Sequence, residues 1–308
     1  MDASYAIWAD KYQPKILDDI IGQDVIVKKL KILSKLKNIP HMIISGNSGI
    51  GKSLAIKCFL DQINPSKILD INITEDIRKI NIIKSKIYNF IEQKLDTKVI
   101  LIDDCDILNI QTQFLIKSIM EKSKPNLTII MICNQLENVI ETIQSRSIVL
   151  KFQKIKKEDI YIFLKKICKS QKILLTQEVI ETIIMCSSGD MRRAVNCLQT
   201  ICVTYDNYEN VTKEDVFNVL DVPQPRVIAD IINDESYKSM IHKINNVLKL
   251  GYSSNDIIVS FFNVVKNMPL PIETKVRYID KITFTELKIN DGLDSKLQLY
   301  NLLKYFAE

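Results

Sequence analysis

Residues 46–53 read Gly-Asn-Ser-Gly-Ile-Gly-Lys-Ser and fit the pattern G-x-x-x-x-G-K-[ST]. In this pattern the glycines let backbone N–H groups turn inward around phosphate oxygens, and the helix that follows points its positive end at them. The lysine is placed to neutralise the outer phosphates, and the final hydroxyl is placed to bind Mg²⁺. The stretch therefore predicts a site for ATP and Mg²⁺. The predicted phosphate contacts are Gly46, Asn47, Ser48, Gly49, Ile50, Gly51, Lys52 and Ser53.

The segments around this loop alternate between strand and helix patterns. An apolar run at 42–44 leads into the loop, and apolar residues at helical spacing follow it over 54–60. Two more short apolar runs, at 99–102 and 127–133, are typical of buried parallel strands. Alternating strands and helices predict an α/β domain with a parallel sheet, whose ligands bind at the carboxyl ends of the strands. Helical patterns separate or flank the strands at 23–37, 76–95 and 111–123.

Polar residues follow the second and third of these strands. Asp103 and Asp104 come directly after the run at 99–102, and Asn134 follows the run at 127–133. Besides its own hydroxyl, a phosphate-binding loop needs a second magnesium ligand, a carboxylate on a neighbouring strand. We predict that Asp103 and Ser53 hold the metal, that Asp104 orients the attacking water, and that Asn134 contacts the water or the γ-phosphate.

Strand patterns end near residue 153. Two prolines in the stretch 222–225 cannot continue a helix and indicate a linker. Residues 226–308 again show helical patterns, with breaks at Gly251, Pro269 and Pro271, and Gly292. We therefore predict an ATPase domain at 1–153, a small helical domain at 154–221 and a helical C-terminal domain at 222–308. The short amphipathic helices predicted before the linker cover 157–170, 176–186, 190–203 and 212–220.

Composition excludes several classes of protein. The chain has 308 residues, a net charge of +5, 26% charged and 46% hydrophobic residues, which is not the composition of a disordered chain. No apolar run approaches the ~18 residues of a membrane-spanning helix, and the first residues do not form a secretion signal. The seven cysteines form no C-x-x-C pair and there are two histidines, so zinc and a disulfide framework have little support. We expect a soluble intracellular globular protein.

Motifs along nearly the whole chain resemble a known family. They are Trp-Ala-Asp-Lys-Tyr-Gln-Pro at 8–14 with Leu-Asp-Asp-Ile-Ile-Gly-Gln at 17–23, Asn-Ile-Pro-His at 38–41, Ile-Asp-Asp-Cys-Asp at 102–106, Gln-Phe-Leu-Ile-Lys-Ser-Ile-Met-Glu at 113–121, Ile-Gln-Ser-Arg-Ser at 143–147, Gly-Asp-Met-Arg-Arg-Ala at 189–194, and Gly292 with Leu-Gln-Leu at 297–299. Together they resemble the small subunits of replication factor C, clamp-loader ATPases of the AAA+ class. The resemblance implies a P-loop AAA+ domain, a helical lid and a helical collar.

The resemblance also implies roles for single residues. Tyr12, Pro14 and Ile21 lie in the segment that the family places near the adenine. Arg146 occupies the position of an arginine that serves the ATP of a neighbouring subunit, and such residues are worth ~10³–10⁵ in rate. Arg192 occupies the position of the lid arginine that reaches the γ-phosphate of its own subunit.

The chain departs from the family pattern at several positions. Asp104 replaces the usual glutamate and is one methylene shorter, which leaves two alternatives open: a hydrolysing subunit, or one that binds ATP and barely hydrolyses it. Ser118 replaces a second arginine, Ser147 replaces a cysteine, and the segment 72–77 follows the family's N-A-S-D-x-R pattern only loosely. A different AAA+ machine, such as a branch-migration motor or a remodelling ATPase, is the remaining alternative.

The resemblance implies partners as well. They are the other subunits of a hetero-oligomer, expected to be a pentamer, a ring-shaped sliding clamp, and primer–template DNA bound through its phosphates; no membrane is expected. Lysines at 28, 29, 31, 35 and 37, and those between 151 and 172, are candidates for DNA contact, although lysines at helical spacing more often form a solvated face. The expected location is a site of DNA replication, in the nucleus of a eukaryote and otherwise in the cytoplasm or at a viral replication site.

Overall fold

The computed structural model describes residues 7–72, 80–93, 96–122, 125–205 and 211–307. The chain divides into two compact units. The first unit comprises the chain up to Leu174 and the segment Ile183–Gln199. The second unit comprises Leu175–Thr182 and the chain from Thr200 onward. The domain boundaries predicted after residues 153 and 221 stay a prediction.

The first unit contains a five-stranded parallel sheet. Its strands are β1 (Met42–Ser45), β2 (Lys67–Asn72), β3 (Lys98–Asp103), β4 (Leu127–Cys133) and β5 (Ile148–Lys151), in the order β2-β3-β4-β1-β5. All four pairings are parallel, as the alternation of strands and helices predicts. The sequence patterns predict β1, β3 and β4, whereas the two edge strands, β2 and β5, were missed.

The central strands carry the core of this unit. Every residue of β1 and β4 is buried, and only the last residue of β3 is partly exposed. Since successive side chains of a strand point to opposite faces, both faces of the central strands are covered. On one face Ile43, Ile100 and Met131 join a single apolar cluster with Phe90 and Ile116 from two helices. This explains why these strands read as continuous apolar runs.

The longer helices of the first unit lie close to the predicted positions, although the helix predicted over 23–37 ends at Leu33 and the short helices were not predicted. The helices of this unit are Trp8–Lys11, Asp24–Leu33, Lys52–Ile63, Ile80–Glu92, Ile110–Lys122, Glu141–Gln144 and Lys157–Gln171, with parts of Gln177–Ser187 and Met191–Thr204 and the short 3-10 helices Leu17–Asp19, Cys105–Ile107 and Leu136–Asn138. In the helix Met191–Thr204, Ala194, Val195 and Leu198 are buried, as expected for the inward face of an amphipathic helix.

The register of the sheet brings the polar strand ends together. Ser45 pairs with Cys133, so the phosphate loop and Asn134 both begin at the same level of the sheet. β3 runs beside β4 and ends at Asp103. The carboxyl edge of the three central strands therefore collects the residues for which the sequence predicts chemistry.

The second unit is helical. Its core is a single apolar cluster that includes Ile228, Ile244 and Phe261, and Phe306 stacks on Phe261 with ring centroids 5.5 Å apart. The rings of Tyr278 and Phe306 pack edge to face, with centroids 4.8 Å apart. In the described parts of the chain, none of the helices has the length and apolar character needed to cross a membrane. The helices wholly within this unit are Lys213–Val219, Pro225–Ile232, Tyr237–Lys249, Ser254–Asn267, Ile272–Asn290 and Ser295–Ala307.

His41 has a structural role at the entry to β1. Its Nδ1 accepts a hydrogen bond from the backbone N–H of Ile129 at 3.0 Å, and its carbonyl oxygen accepts one from Ile148 at 2.8 Å. His41 thus ties the beginning of β1 to strands on both sides. Burial lowers the pKa of His41 below its ordinary value of 6.5, so the imidazole that accepts this bond is neutral.

The lowered pKa of His41 predicts a loss of stability in mild acid. The unfolded chain protonates this histidine near pH 6.5, whereas the folded chain does so only at lower pH. Its contribution is therefore fully present above pH 6.5 and is lost as the pH falls from there towards the folded pKa. In His41→Gln, which keeps an acceptor, we expect a flatter decline of the melting temperature over this range. His242→Gln, at an exposed histidine, is the matched control, and an equal decline in both variants would contradict the assignment.

Candidate active site

The phosphate loop connects β1 to the helix Lys52–Ile63. Gly51, immediately before this helix, has φ +91°, and Gly49 has φ +68°, both in the left-handed region that favours glycine. A Cβ at Gly49 would lie 1.8 Å from Oδ1 of Asp190. The carbonyl oxygen of Gly49 accepts a hydrogen bond from the backbone N–H of Met191 at 3.0 Å. The loop conformation and its close contact with the Gly-Asp-Met-Arg-Arg-Ala motif thus both require glycine at this position.

Lys52 is held inside the loop. Its side chain is buried, and Nζ donates to the carbonyl oxygens of Gly46 and Asn47, both at 2.7 Å, and to Oδ1 of Asn134 at 2.9 Å. Burial lowers the pKa of Lys52, and the carboxylates of Asp103 and Asp104 oppose this shift. All three acceptors of the Lys52 ammonium group are neutral, so it can give up a hydrogen bond to one of them and bind a phosphate oxygen instead. This suits its predicted role in neutralising the outer phosphates.

Ser53 and Asp103 form the predicted metal pair. Ser53 Oγ donates to Oδ2 of Asp103 at 2.9 Å, and Oδ1 of Asp103 accepts the backbone N–H of Asp104 at 3.0 Å. A hydroxyl beside a carboxylate is an oxygen donor set of the kind that Mg²⁺ prefers when phosphates complete its ligands. Within the described residues, no group of three or more His, Cys, Asp or Glu side chains could hold a metal. The donor set present therefore fits a magnesium ion that arrives with a nucleotide.

Asn134 links the two sides of the site. Its Oδ1 accepts from Lys52, and its Nδ2 donates to Oδ1 of Asp104 at 3.3 Å. Asp104 itself has a left-handed backbone, with φ +52°. One amide group thus contacts both the phosphate-binding cation and the carboxylate predicted to orient the water.

A cavity of about 890 Å³ lies over these residues. Its volume is within the range of small-molecule and cofactor sites. Tyr12, Pro14 and Ile21 line it, at the place where the family resemblance puts the adenine, and Arg192 lines it as well. The structure therefore brings together nearly all the predicted site residues. The other predicted residues in its wall are Ser48, Gly49, Ile50, Gly51, Lys52, Ser53, Asp103, Asp104 and Asn134.

Three predicted residues lie outside the cavity wall. Gly46 and Asn47 contribute backbone carbonyl groups that receive Lys52. Arg146 is exposed, and its guanidinium donates to Oε1 of Glu121 at 2.8 Å and to the carbonyl oxygen of Thr142 at 2.9 Å. The structure does not bring Arg146 into the cavity of its own chain.

Sequence reasoning missed several residues of this site. Asp159, Phe163 and Lys166 line the cavity from the helix Lys157–Gln171. The mixed apolar and charged pattern of this segment indicates a helix and says nothing about a ligand. Asp106 is the second missed feature: it accepts hydrogen bonds beside Asn134, and its place in the motif at 102–106 was the available signal. The segment 73–77, part of the loosely matching motif, lies outside the described residues.

Comparison with known proteins covers most of the chain with family models. Residues 42–156 match the ATPase family associated with various cellular activities (AAA), residues 163–203 match the RCF1/5-like AAA+ ATPase lid domain, and residues 223–304 match the replication factor C C-terminal domain. The phosphate loop, the metal pair and Asn134 all lie in the AAA match.

Whole-chain relatives agree with these matches. The chain is 31% identical to replication factor C subunit 4 of Saccharomyces cerevisiae, over 96% of this chain and 94% of that one. It is 33% identical to the replication factor C small subunit of Sulfurisphaera tokodaii, over 98% of this chain and 95% of that one. The chain belongs to the replication factor C small-subunit family. As a member of this family it is an AAA+ ATPase and a clamp-loader subunit of DNA replication, from a family that assembles as hetero-oligomers.

Solved structures resemble the fold of this replication factor C family member. The Holliday junction branch migration motor RuvB of Thermotoga maritima superimposes with a TM-score of 0.58 over 76% of this chain and 85% of that one, at 17% identity. A likeness at this identity concerns the fold alone, and it confirms the predicted AAA+ architecture.

Proposed function

We propose that this chain uses ATP binding and hydrolysis to open a ring-shaped sliding clamp and load it onto primer–template DNA. The observation that carries the proposal is the contact network in which Asn134 joins Lys52 to Asp104 beneath a cavity of nucleotide size. Binding of ATP would assemble the state that grips clamp and DNA. Hydrolysis would release the closed clamp on the primer–template junction.

The site residues divide the work of hydrolysis. Lys52 and the backbone of the phosphate loop hold the phosphates, and Asp104 orients the attacking water and accepts its proton. Asn134 keeps these two groups at a fixed separation, since its amide contacts both. Arg192, on the cavity wall, reaches the γ-phosphate and relates the lid to the state of the nucleotide. A magnesium ion held by Ser53 and Asp103, when bound, neutralises charge on the phosphate oxygens.

Arg146 serves the ATP of a neighbouring subunit in this proposal. Its position outside the cavity of its own chain and its exposure support that role. A guanidinium supplied in trans spreads the charge that develops on the transferred phosphoryl group. A complete hydrolysis site therefore needs two subunits, so ATP turnover depends on assembly.

We propose the domain roles that follow from the sequence: an ATPase domain at 1–153, a lid at 154–221 and a collar at 222–308 that joins subunits into a pentamer. The long helix Ile272–Asn290 supports the collar role, because Ile272 is 80% exposed and Val276, one turn later, is 61% exposed. Exposed apolar residues at one-turn spacing are typical of surfaces covered in an assembly. The complex would act at sites of DNA replication, in the nucleus of a eukaryote and otherwise in the cytoplasm or at a viral replication site.

The test is steady-state ATP turnover by the chain assembled with its partner subunits, with and without primed DNA and the cognate sliding clamp. We expect DNA and clamp together to stimulate turnover more than either one alone. A Lys52→Ala chain in the same complex is the control, because the turnover that remains comes from the partner subunits or from contaminants. Turnover that DNA alone stimulates fully, with no response to the clamp, would contradict clamp loading and favour a DNA-remodelling motor.

A further inference from the structure

The third aspartate of the motif at 102–106 binds the backbone beside Asn134. Oδ2 of Asp106 accepts the N–H groups of Asn134 and Gln135, both at 3.2 Å. These are the first two residues after β4, where the chain leaves the sheet. One carboxylate oxygen therefore fixes the backbone of two successive residues at the carboxyl edge.

The other oxygen of this carboxylate, Oδ1, lies in a different environment. Oδ1 of Asp106 is buried and, among the described residues, has no hydrogen-bond partner. Burying a polar atom without a partner costs free energy, and such an atom in a folded protein calls for an explanation. Because burying Oδ1 without a partner costs free energy, the presence of a carboxylate here indicates that the hydrogen bonds accepted by Oδ2 are required.

The surroundings of Asp106 hold two parts of the site together. Asp106 belongs to the short 3-10 helix Cys105–Ile107, which begins directly after Asp104. Cys105 and Cys133 are both buried in one apolar cluster, which packs this segment against the end of β4. Asp104, whose carboxylate is proposed to orient the water, and Asp106, which fixes the backbone of Asn134, therefore lie two residues apart.

We infer that Asp106 is a positioning residue for hydrolysis, which acts by holding Asn134 in the orientation that contacts Lys52 and Asp104. A fixed backbone at Asn134 sets the direction of its side chain, and with it the 2.9 Å contact to Lys52 and the 3.3 Å contact to Asp104. The inference rests on the role of Asn134 in the proposed function. Asp106 itself touches no reacting atom.

The experiment compares ATP turnover by assembled complexes that carry Asp106→Ala, Asp106→Asn, Asn134→Ala and the double variant Asp106→Ala/Asn134→Ala. Loss of the acceptor in Asp106→Ala is expected to lower kcat roughly 10-fold at an unchanged KM for ATP, because small misplacements at a reacting centre are costly. Asp106→Asn keeps an oxygen that can accept both N–H groups and should restore most of kcat. Asp61→Ala, at an exposed aspartate of the helix after the phosphate loop, is the matched control.

The double variant separates positioning from a merely structural role. If Asp106 acts through Asn134, the double variant should turn over ATP no more slowly than Asn134→Ala alone. Multiplied effects would overturn the inference, as would normal turnover of Asp106→Ala beside an impaired Asn134→Ala. Normal turnover of Asn134→Ala would instead refute the role of Asn134 in the proposed function, and the inference with it.

Asp106→Glu is a second test variant, for the case in which Asp106→Ala does not fold. Asp106→Glu keeps the charge and the acceptor but moves the carboxylate by one methylene. We expect a loss of kcat at unchanged KM, as in the alanine variant, because the two N–H groups can no longer be held in place. Wild-type turnover in a folded Asp106→Glu complex would overturn the inference.

Discussion

Replacement of Arg146 by alanine is expected to lower ATP turnover by the assembled complex about 10³-fold or more. The guanidinium is exposed, lies outside the cavity of its own chain and is paired with Glu121 on the same surface. In the proposed function, Arg146 therefore completes the ATP site of a neighbouring subunit rather than its own. The measurement is kcat of the site that neighbours the variant chain, in a complex whose other ATP sites are inactivated.

Two further measurements isolate the trans role of Arg146. ATP affinity of the isolated Arg146→Ala chain should equal that of the unaltered chain, because Arg146 contributes nothing to its own cavity wall. Arg146→Lys keeps the charge but loses the planar fork that matches phosphate, so most of the rate should remain lost. Undiminished turnover by an assembled Arg146→Ala complex, verified by gel filtration, would refute the role.

Asp104→Glu is expected to raise turnover, by as much as about 10²-fold, since a misplacement of 1 Å at a reacting centre can cost that factor. Asp104 is one methylene shorter than the family's glutamate, and its Oδ1 is held by the amide of Asn134. A longer side chain would bring the carboxylate nearer to the water that Asp104 is proposed to orient. The measurement is kcat of the assembled complex at saturating ATP.

The controls for this prediction separate chemistry from binding. Affinities for ATP and Mg²⁺ should stay the same in Asp104→Glu, because Lys52, Ser53 and Asp103 are unchanged. Asp104→Asn, which has the same size but no charge, should lower turnover below that of the unaltered chain. Equal or lower turnover in Asp104→Glu would mean that the aspartate is already well placed and that its length does not limit the rate.

The sequence predicts the central part of the sheet better than its edges. β1, β3 and β4 are buried on both faces and so appear as continuous apolar runs. The edge strand β5 has four residues, two of them exposed, and β2 mixes apolar and polar residues over Lys67–Asn72 without strict alternation. Such short or mixed segments match no strand pattern strongly, and the contacts that make them strands come from distant residues.

The same distinction applies to the site. Lys52, Ser53 and Asp103 follow from local motifs, because their chemistry depends on neighbours close in sequence or on the ends of recognisable strands. The bond from Asp106 to the backbone of Asn134 joins residues 28 positions apart, and the contact of Gly49 with Asp190 joins residues on distant segments. No local pattern encodes such contacts, since each depends on the register of the sheet and the path of the connecting loops.

The backbone hydrogen bond from Met191 to Gly49 makes the amide proton of Met191 a probe of local opening at the phosphate loop. An amide proton exchanges with solvent deuterium only while its bond is open, so the exchange rate at Met191 records how often the segment bearing Arg192 separates from the phosphate loop. This single proton reports the opening without a fluorophore or an added cysteine. Its exchange lifetime, compared between the empty, ATP-bound and ADP-bound complexes, would place each opening event in the order of the catalytic cycle.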